Sequence, residues 1–278
     1  MIKIDSFGGE APLFPKEALQ LPYAAYAKGC VFDSGELRGF GAPIKRGSHV
    51  VPSSAKTMSL YKPQDIEYLL TFPVRTDVIH NAHAGDQWRR VYWFSENHAP
   101  RYGDSTAVLS GFGPFPGSYY ELGVPAPVSQ PVIEIIPAKD AEGKVIDHVA
   151  LGHDPIYRSF TYTYVTDFGE ESGPWLPADG SAVPQHKMYE GDVVKITGMA
   201  PLTGNYPATN GKINVYQTDL AGGFLRVKVL PMSESSTQFV NTDVTGPIIR
   251  TALTMPPVAG MKGACLTSYG YMVGFQDF

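Results

Sequence analysis

Ser159-Phe160-Thr161-Tyr162-Thr163-Tyr164-Val165-Thr166, followed by Asp167-Phe168-Gly169-Glu170-Glu171-Ser172-Gly173-Pro174, decides the fold. Phe160, Tyr162 and Tyr164 alternate with Thr161, Thr163 and Val165. A period of two places three rings on one face of a strand and short side chains on the other. Such a face needs a second sheet to cover it, so the flanking residues are expected to build a sandwich. Three acids, two glycines and a proline in 167–174 end the strand, and the composition predicts a solvated loop there.

The composition fits a fold of short strands. Gly 29 and Pro 24 together with Tyr 16 and Phe 14 favour strands and turns over long helices. At 43% hydrophobic and 18% charged residues the chain can bury a core, and its 278 residues suggest about two domains. The net charge of -5, with no basic run, argues against a nucleic-acid partner, because binding phosphates needs a concentrated positive face. Two distant cysteines, Cys30 and Cys265, read as thiols of a protein made in the cytosol. The first residues lack the apolar core of a secretion signal, and no apolar run approaches the roughly 18 residues of a membrane span.

Four regions follow along the chain. Residues 1–60 are broken by Gly and Pro yet rich in apolar residues, which predicts an extended arm lying on another surface. A short helix over Tyr23–Gly29, capped by Gly29, is the one regular element expected in it. In 61–126, with the end of the arm, Met58–Tyr61, Tyr68–Phe72, Asp77–His80 and Arg90–Phe94 read as an antiparallel β meander. Leu122–Pro127 with Pro131 reads as a linker. In 127–245, strands are expected at Val132–Ile136, Tyr157–Thr166, Val193–Thr197, Lys212–Thr218, Phe224–Leu230 and Gln238–Val240. They fit a fibronectin type III or Ig-like β-sandwich, with a hairpin over Gly222-Gly223. Residues 246–278 hold two further strands about a Tyr-Gly turn, packed on the first β unit or on a neighbour. The fold class is therefore mainly β.

Motifs for chemistry are weak. His80-x-x-His83-x-x-Asp86 could offer three zinc ligands from one loop, but no cysteine is near and structural roles are favoured, so no metal is assigned. Asp167-Phe168-Gly169 matches the magnesium tripeptide of kinases, without the other kinase motifs. Glu170 and Glu171 are adjacent and would face opposite ways, which does not suit an acid and base flanking one bond. Trp88, Tyr92, Trp93, Phe94, Tyr119, Tyr120 and Trp175 could stack on a sugar, but core or interface roles are favoured. No catalytic residue and no cofactor is assigned, and an assembly component is the simplest reading.

Several stretches resemble a family of tailed-phage virion proteins from the tail or neck. The arm carries Phe7-Gly8-Gly9-Glu10-x-Pro12, Leu21-Pro22, Ala24, Ala27, Ser34-Gly35-Glu36-Leu37-Arg38 and Ala42-Pro43. Next come Asp77-Val78-Ile79, Ala84-Gly85-Asp86, Arg90-Val91-Tyr92-Trp93 and Ala99-Pro100-Arg101. Leu122–Pro127, Tyr162–Thr166 with Phe168–Ser172 and Pro174, Ile213–Thr218, and Pro256-Pro257 with Met261-Lys262-Gly263 complete an ordered series over nearly the whole chain. The arm is also similar to that of tail-tube nozzle proteins. Cys30 stands where the family usually has Asn, and the β-propeller that continues longer relatives past the Lys-Gly segment is not in this chain. The resemblance implies a non-enzymatic virion subunit of the neck, collar or tail, made in the host cytoplasm. It further implies a cyclic homo-oligomer docked to portal, adaptor or tail components. Phe7, Gly8, Gly9, Pro12, Leu21, Pro22, Leu37 and Arg38 would form its assembly arm. The alternative is a tail adhesin contacting a host receptor or glycan through Phe168, Glu170, Glu171 and Trp175; a cell-wall hydrolase is the enzymatic competitor.

Overall fold

The structure is a computed structural model that describes residues 49, 51–80, 85–242, 246–251, 254–266 and 272–275, and four two-residue strands nearer the N-terminus. The chain divides into two units, Met1–His49 and Val50–Phe278. In the first, β1 (Gly9–Glu10) pairs in parallel with β2 (Tyr23–Ala24), and β3 (Cys30–Val31) pairs antiparallel with β4 (Arg38–Gly39). Tyr23–Ala24 is thus a strand, which corrects the expected helix start; 25–29 lie outside the described residues.

The second unit is built on two β bodies. β5 (Thr57–Tyr61) and β6 (Tyr68–Phe72) form a hairpin of their own. The four-stranded sheet beside it runs β7 (Thr76–His80), β8 (Val91–Ser95), β9 (His98–Gly103) and β10 (Tyr120–Glu121) in consecutive antiparallel order. The meander therefore has two strands the sequence did not reveal, and the first two expected strands stand outside it. A one-turn helix α1 (Ser105–Val108) follows β9, with Asp104 Oδ1 accepting from the Ala107 amide at 3.0 Å as an N-cap.

Every residue of β8 is buried. Its sequence, Val-Tyr-Trp-Phe-Ser, has no polar alternation because both faces are covered. Val91 and Trp93 pack with Tyr61, Leu70, Phe72 and Val108. Tyr92 and Phe94 pack on the opposite side with Ile79 and Tyr102. The far side is closed by β18 (Lys262–Leu266), which pairs with β19 (Met272–Phe275). Asp77 Oδ2 fastens β18 by accepting from the amides of Gly263, at 2.7 Å, and Ala264, at 3.3 Å.

The sandwich has a three-stranded and a four-stranded sheet. The first is ordered β11 (Val132–Ile136), β14 (Val193–Thr197), β17 (Thr237–Val240). The second is ordered β13 (Gln185–Met188), β12 (Ile156–Val165), β15 (Lys212–Thr218), β16 (Phe224–Pro231). Phe160, Tyr162 and Tyr164 of β12 meet Val194 and Ile196 of β14 in one core, as the period of two requires. Tyr162 and Tyr164 lie edge to face at 5.9 Å, and their hydroxyls donate to the Ser129 and Ala200 carbonyls. Between β15 and β16 the chain turns over Gly222, at φ 87°, where the Asp219 carboxylate accepts from the Gly223 amide.

The 122–131 segment is not a free linker. Val124 is buried in the sandwich core. Gly123, at φ 85°, lies so close to Pro256 and Pro257 that a Cβ there would approach Pro257 Cδ to 2.5 Å. A proline-rich stretch packs well here because the C-terminal segment is laid across it.

Candidate functional site

The densest polar and aromatic constellation lies where the meander meets the sandwich, and the loop after β12 supplies half of it. Thr166 accepts from the Gly169 amide, with Gly169 at φ 79°, and this turn sends Phe168 and Glu170 toward the meander. Phe168 packs on Trp88 at 5.0 Å, Tyr120 at 5.9 Å and Tyr102 at 6.0 Å. The Glu170 carboxylate accepts from Arg90 Nη1 at 3.1 Å and from the Tyr102 hydroxyl at 2.6 Å. Arg90 also donates from Nε to Asp86 at 2.9 Å, and its guanidinium lies over the rings of Trp88, Phe168 and Tyr92.

Burial raises the cost of each charge here, so pairing decides the protonation states. Burial acts to raise the Asp86 carboxyl, but bonds from the Arg90 side chain and amide win and hold it below its ordinary range. Arg90 is raised for the matching reason: desolvation works against its charge and Asp86 outweighs it. Burial and then the Glu170 carboxylate push Tyr102 well above the usual phenol range, and burial first pushes Tyr92 up to about 12. These groups stay fixed in charge near neutrality. They make a joint between two β bodies. Tyr102→Phe removes one charge-assisted bond and is expected to cost about 1.5–3 kcal/mol in denaturant unfolding.

The solvated loop expected over 167–174 holds at Asp167 and Gly169, which are exposed, and is corrected for the remainder by this packing. Ser172, Gly173, Pro174 and Trp175 are buried. Trp175, 5% exposed, belongs to the sandwich core, and its amide donates to the Tyr162 carbonyl at 2.9 Å. Glu171 turns away from Glu170 and accepts on Oε1 from Thr163 (2.5 Å), Tyr216 (2.6 Å) and Asn214 (2.9 Å). The threonine face of β12 is therefore dry too: Thr161 and Thr163 are 2% and 0% exposed. The alternation set the side-chain directions, while the loop folding back decided what covers each face. Beyond Trp175 the loop is exposed again from Leu176.

The other candidates fall as follows. His80 Nε2 lies 2.7 Å from Ser59 Oγ, its ring stacks on Tyr61, and burial lowers its pKa. Asp86 is committed to Arg90, and His83 lies outside the described residues. Asp167 caps a turn, its Oδ1 accepting from the Asn210 amide at 2.9 Å. Trp93 and Phe94 are core, and Tyr119 lies under the Arg101 guanidinium at 3.8 Å. Of the arm, Gly9 and Arg38 are in described strands; Phe7, Gly8, Pro12, Leu21, Pro22 and Leu37 lie outside the described residues. An open cleft of about 590 Å³ at one end of the sandwich is lined by Pro201, Ala208, Lys212, Leu230 and Met232 among others, with no carboxylate, imidazole or thiol in its wall.

Arg90 and Tyr102 are the joint residues that motif reading passed over. Arg90 had a local signal, since it lies between Trp88 and Tyr92, but its partner Glu170 is 80 residues away.

Burial also lowers His98 and His186, as it does His80. The folded state thus favours three neutral imidazoles, and that contribution is complete above their ordinary value near 6.5. It is lost as pH falls through the lowered folded values. Thermal melts should therefore drop between about pH 7 and about pH 5, and His80→Gln should flatten that slope. A melting temperature that rises over this interval contradicts the assignment.

Apolar side chains stand in solvent along two edge strands: Met58, 58% exposed, and Leu60, 48%, on β5, and Val132, 60%, on β11. Phe112, between Gly111 and Gly113 at the tip of the 110–117 loop, is fully exposed. No helix among the described residues is long and apolar enough to cross a membrane. Comparison with known proteins finds no matching family model and no matching curated protein.

Proposed function

We propose that the chain is a non-enzymatic structural subunit of a tailed-phage virion, at the neck, collar or tail, working through self-assembly and docking to its neighbours. One contrast supports this reading. Asp86, Arg90, Tyr102, Glu170, Glu171 and Trp175 are committed to internal contacts, whereas Met58, Leu60 and Val132 are exposed on strands that have an unpaired edge among the described residues. Unpaired edges bearing apolar side chains recruit other β surfaces. The ordered sequence resemblance supports the virion setting, and seven strands in a three-on-four sandwich accord with a fibronectin type III-like body.

On this reading the partners are copies of the chain in a closed ring, with the arm crossing to a neighbour, and the adjoining portal, adaptor or tail proteins. Mass photometry of the purified chain should give a discrete multiple of 30.2 kDa. Deleting residues 1–22 should weaken that assembly and leave the sandwich folded; an unchanged assembly overturns the role of the arm. The competing adhesin reading relies on the exposed 176–186 part of the loop, and specific binding on a glycan array would favour it.

A further inference from the structure

The 138–155 connection between β11 and β12 carries side chains that the joint and the edges do not use. His148 and His153 bracket a turn in which the His153 amide donates to the His148 carbonyl at 2.9 Å. Their Nδ1 atoms are 2.9 Å apart, on rings inclined at 46°. The His148 ring lies flat on Tyr189, at 4.6 Å and 2°, and is 7% exposed, whereas His153 is open to solvent. Nε2 of His148 is buried without a hydrogen-bond partner and faces Asp192 Oδ1 at 3.8 Å. Asp192 is itself held in place, accepting from the amides of Ala138 at 2.9 Å and Tyr189 at 2.7 Å.

Two neutral imidazoles at this spacing share one proton, one Nδ1–H donating to the other nitrogen's lone pair. With the His153 proton on its own Nε2, the two Nδ1 lone pairs face each other across that gap, and a turn of each ring brings both onto one cation. With metal–nitrogen bonds of about 2.0–2.1 Å, ligands at a right angle are separated by about 2.9 Å, and ligands at the tetrahedral angle by about 3.4 Å. The observed spacing fits the right angle. A buried imidazole whose second nitrogen faces a fixed carboxylate is the usual outer arrangement of a metal-ligating histidine.

We propose that His148 and His153 form a two-imidazole site for a divalent late first-row transition cation of tetragonal or octahedral preference, Cu²⁺ or Ni²⁺ ahead of Zn²⁺. His148 Nε2–H faces Asp192, and water completes the coordination, since among the described residues no group of three His, Cys, Asp or Glu side chains gathers to hold a metal. The cation closes the 148–153 turn, and Asp192, ahead of β14, orients one of its two ligands.

The test is titration of the untagged full chain with Cu²⁺ at neutral pH, followed by calorimetry and electron paramagnetic resonance. One tight ion per chain with splitting from two nitrogens is expected, together with a higher melting temperature. His153→Ala, at an exposed position that leaves the fold intact, should remove the two-nitrogen signal and weaken binding more than tenfold. Asp192→Asn should weaken it by about 10–100-fold. Absence of binding by the unaltered chain, or unchanged binding by folded His153→Ala, overturns the proposal.

Discussion

Arg90→Ala is expected to destabilise the protein by about 3–5 kcal/mol, because it leaves two carboxylates against a low-dielectric joint with their cation gone. Arg90 is 9% exposed, and the Asp86 and Glu170 side chains it joins are 3% and 29% exposed. The Asp86 carboxyl, which Arg90 holds below its ordinary range, then shifts upward. The loss should therefore be smaller at acid pH, where protonation removes the unpaired charge. The damage should be directional: hydrogen exchange should rise at Trp88–Tyr92 and at Phe168–Ser172, where the two β bodies meet, before it rises in β14. Glu170→Gln keeps an acceptor for Tyr102 and should cost less. A double-mutant cycle between the two positions should give a coupling of about 0.5–3 kcal/mol. Additive losses would mean that Arg90 acts through packing on the rings alone.

Phe160→Ala is the second large effect, at about 3–5 kcal/mol, from lost transfer energy plus the cavity left behind. Phe160 is 2% exposed and packs near Phe239 and His186 between the sheets. Tyr157, on the same strand but 55% exposed, provides the contrast, and Tyr157→Ala should stay within about 0.5 kcal/mol. The pair reads the pleat of β12 in energetic terms. Equal losses at the two positions would contradict the burial that the alternation implies.

What was legible in the sequence was local. The aromatic alternation at 160–164 fixed which side chains of β12 share a core, and Gly222-Gly223 fixed a hairpin, because both signals are properties of a few consecutive residues. β8 was recognisable as a strand, while the cover on its Tyr92 and Phe94 face depends on Phe168 and β18, distant in sequence. β9 was missed: His98-Ala99-Pro100-Arg101-Tyr102-Gly103 has a proline in mid-strand, and its place in the sheet comes from β8 on one side and the short β10 on the other. β13, Gln-His-Lys-Met, has one buried side chain in four and no apolar period to detect. The 170–174 part of the loop was misread because Glu170 and Glu171 look like solvent-facing residues until their partners are known. Glu170 meets Arg90 and Tyr102, and Glu171 meets Tyr216 and Asn214, at separations no local window spans. The joint is made of long-range pairings.

The two expected losses share a physical basis with the proposed role. A joint fixed by an arginine, two carboxylates and five rings holds the two β bodies at one angle, and a ring of subunits needs each copy to present the same angle. Exposed Met58, Leu60 and Val132 then act as contact residues whose cost in water is removed on assembly. Mass photometry of the full chain at micromolar concentration, with Val132→Lys beside it, tests this most directly. The account predicts a closed oligomer of defined copy number that Val132→Lys or removal of residues 1–22 shifts toward the 30.2 kDa monomer. A chain that stays monomeric at every concentration tried, alone and with its neighbouring virion proteins, contradicts it.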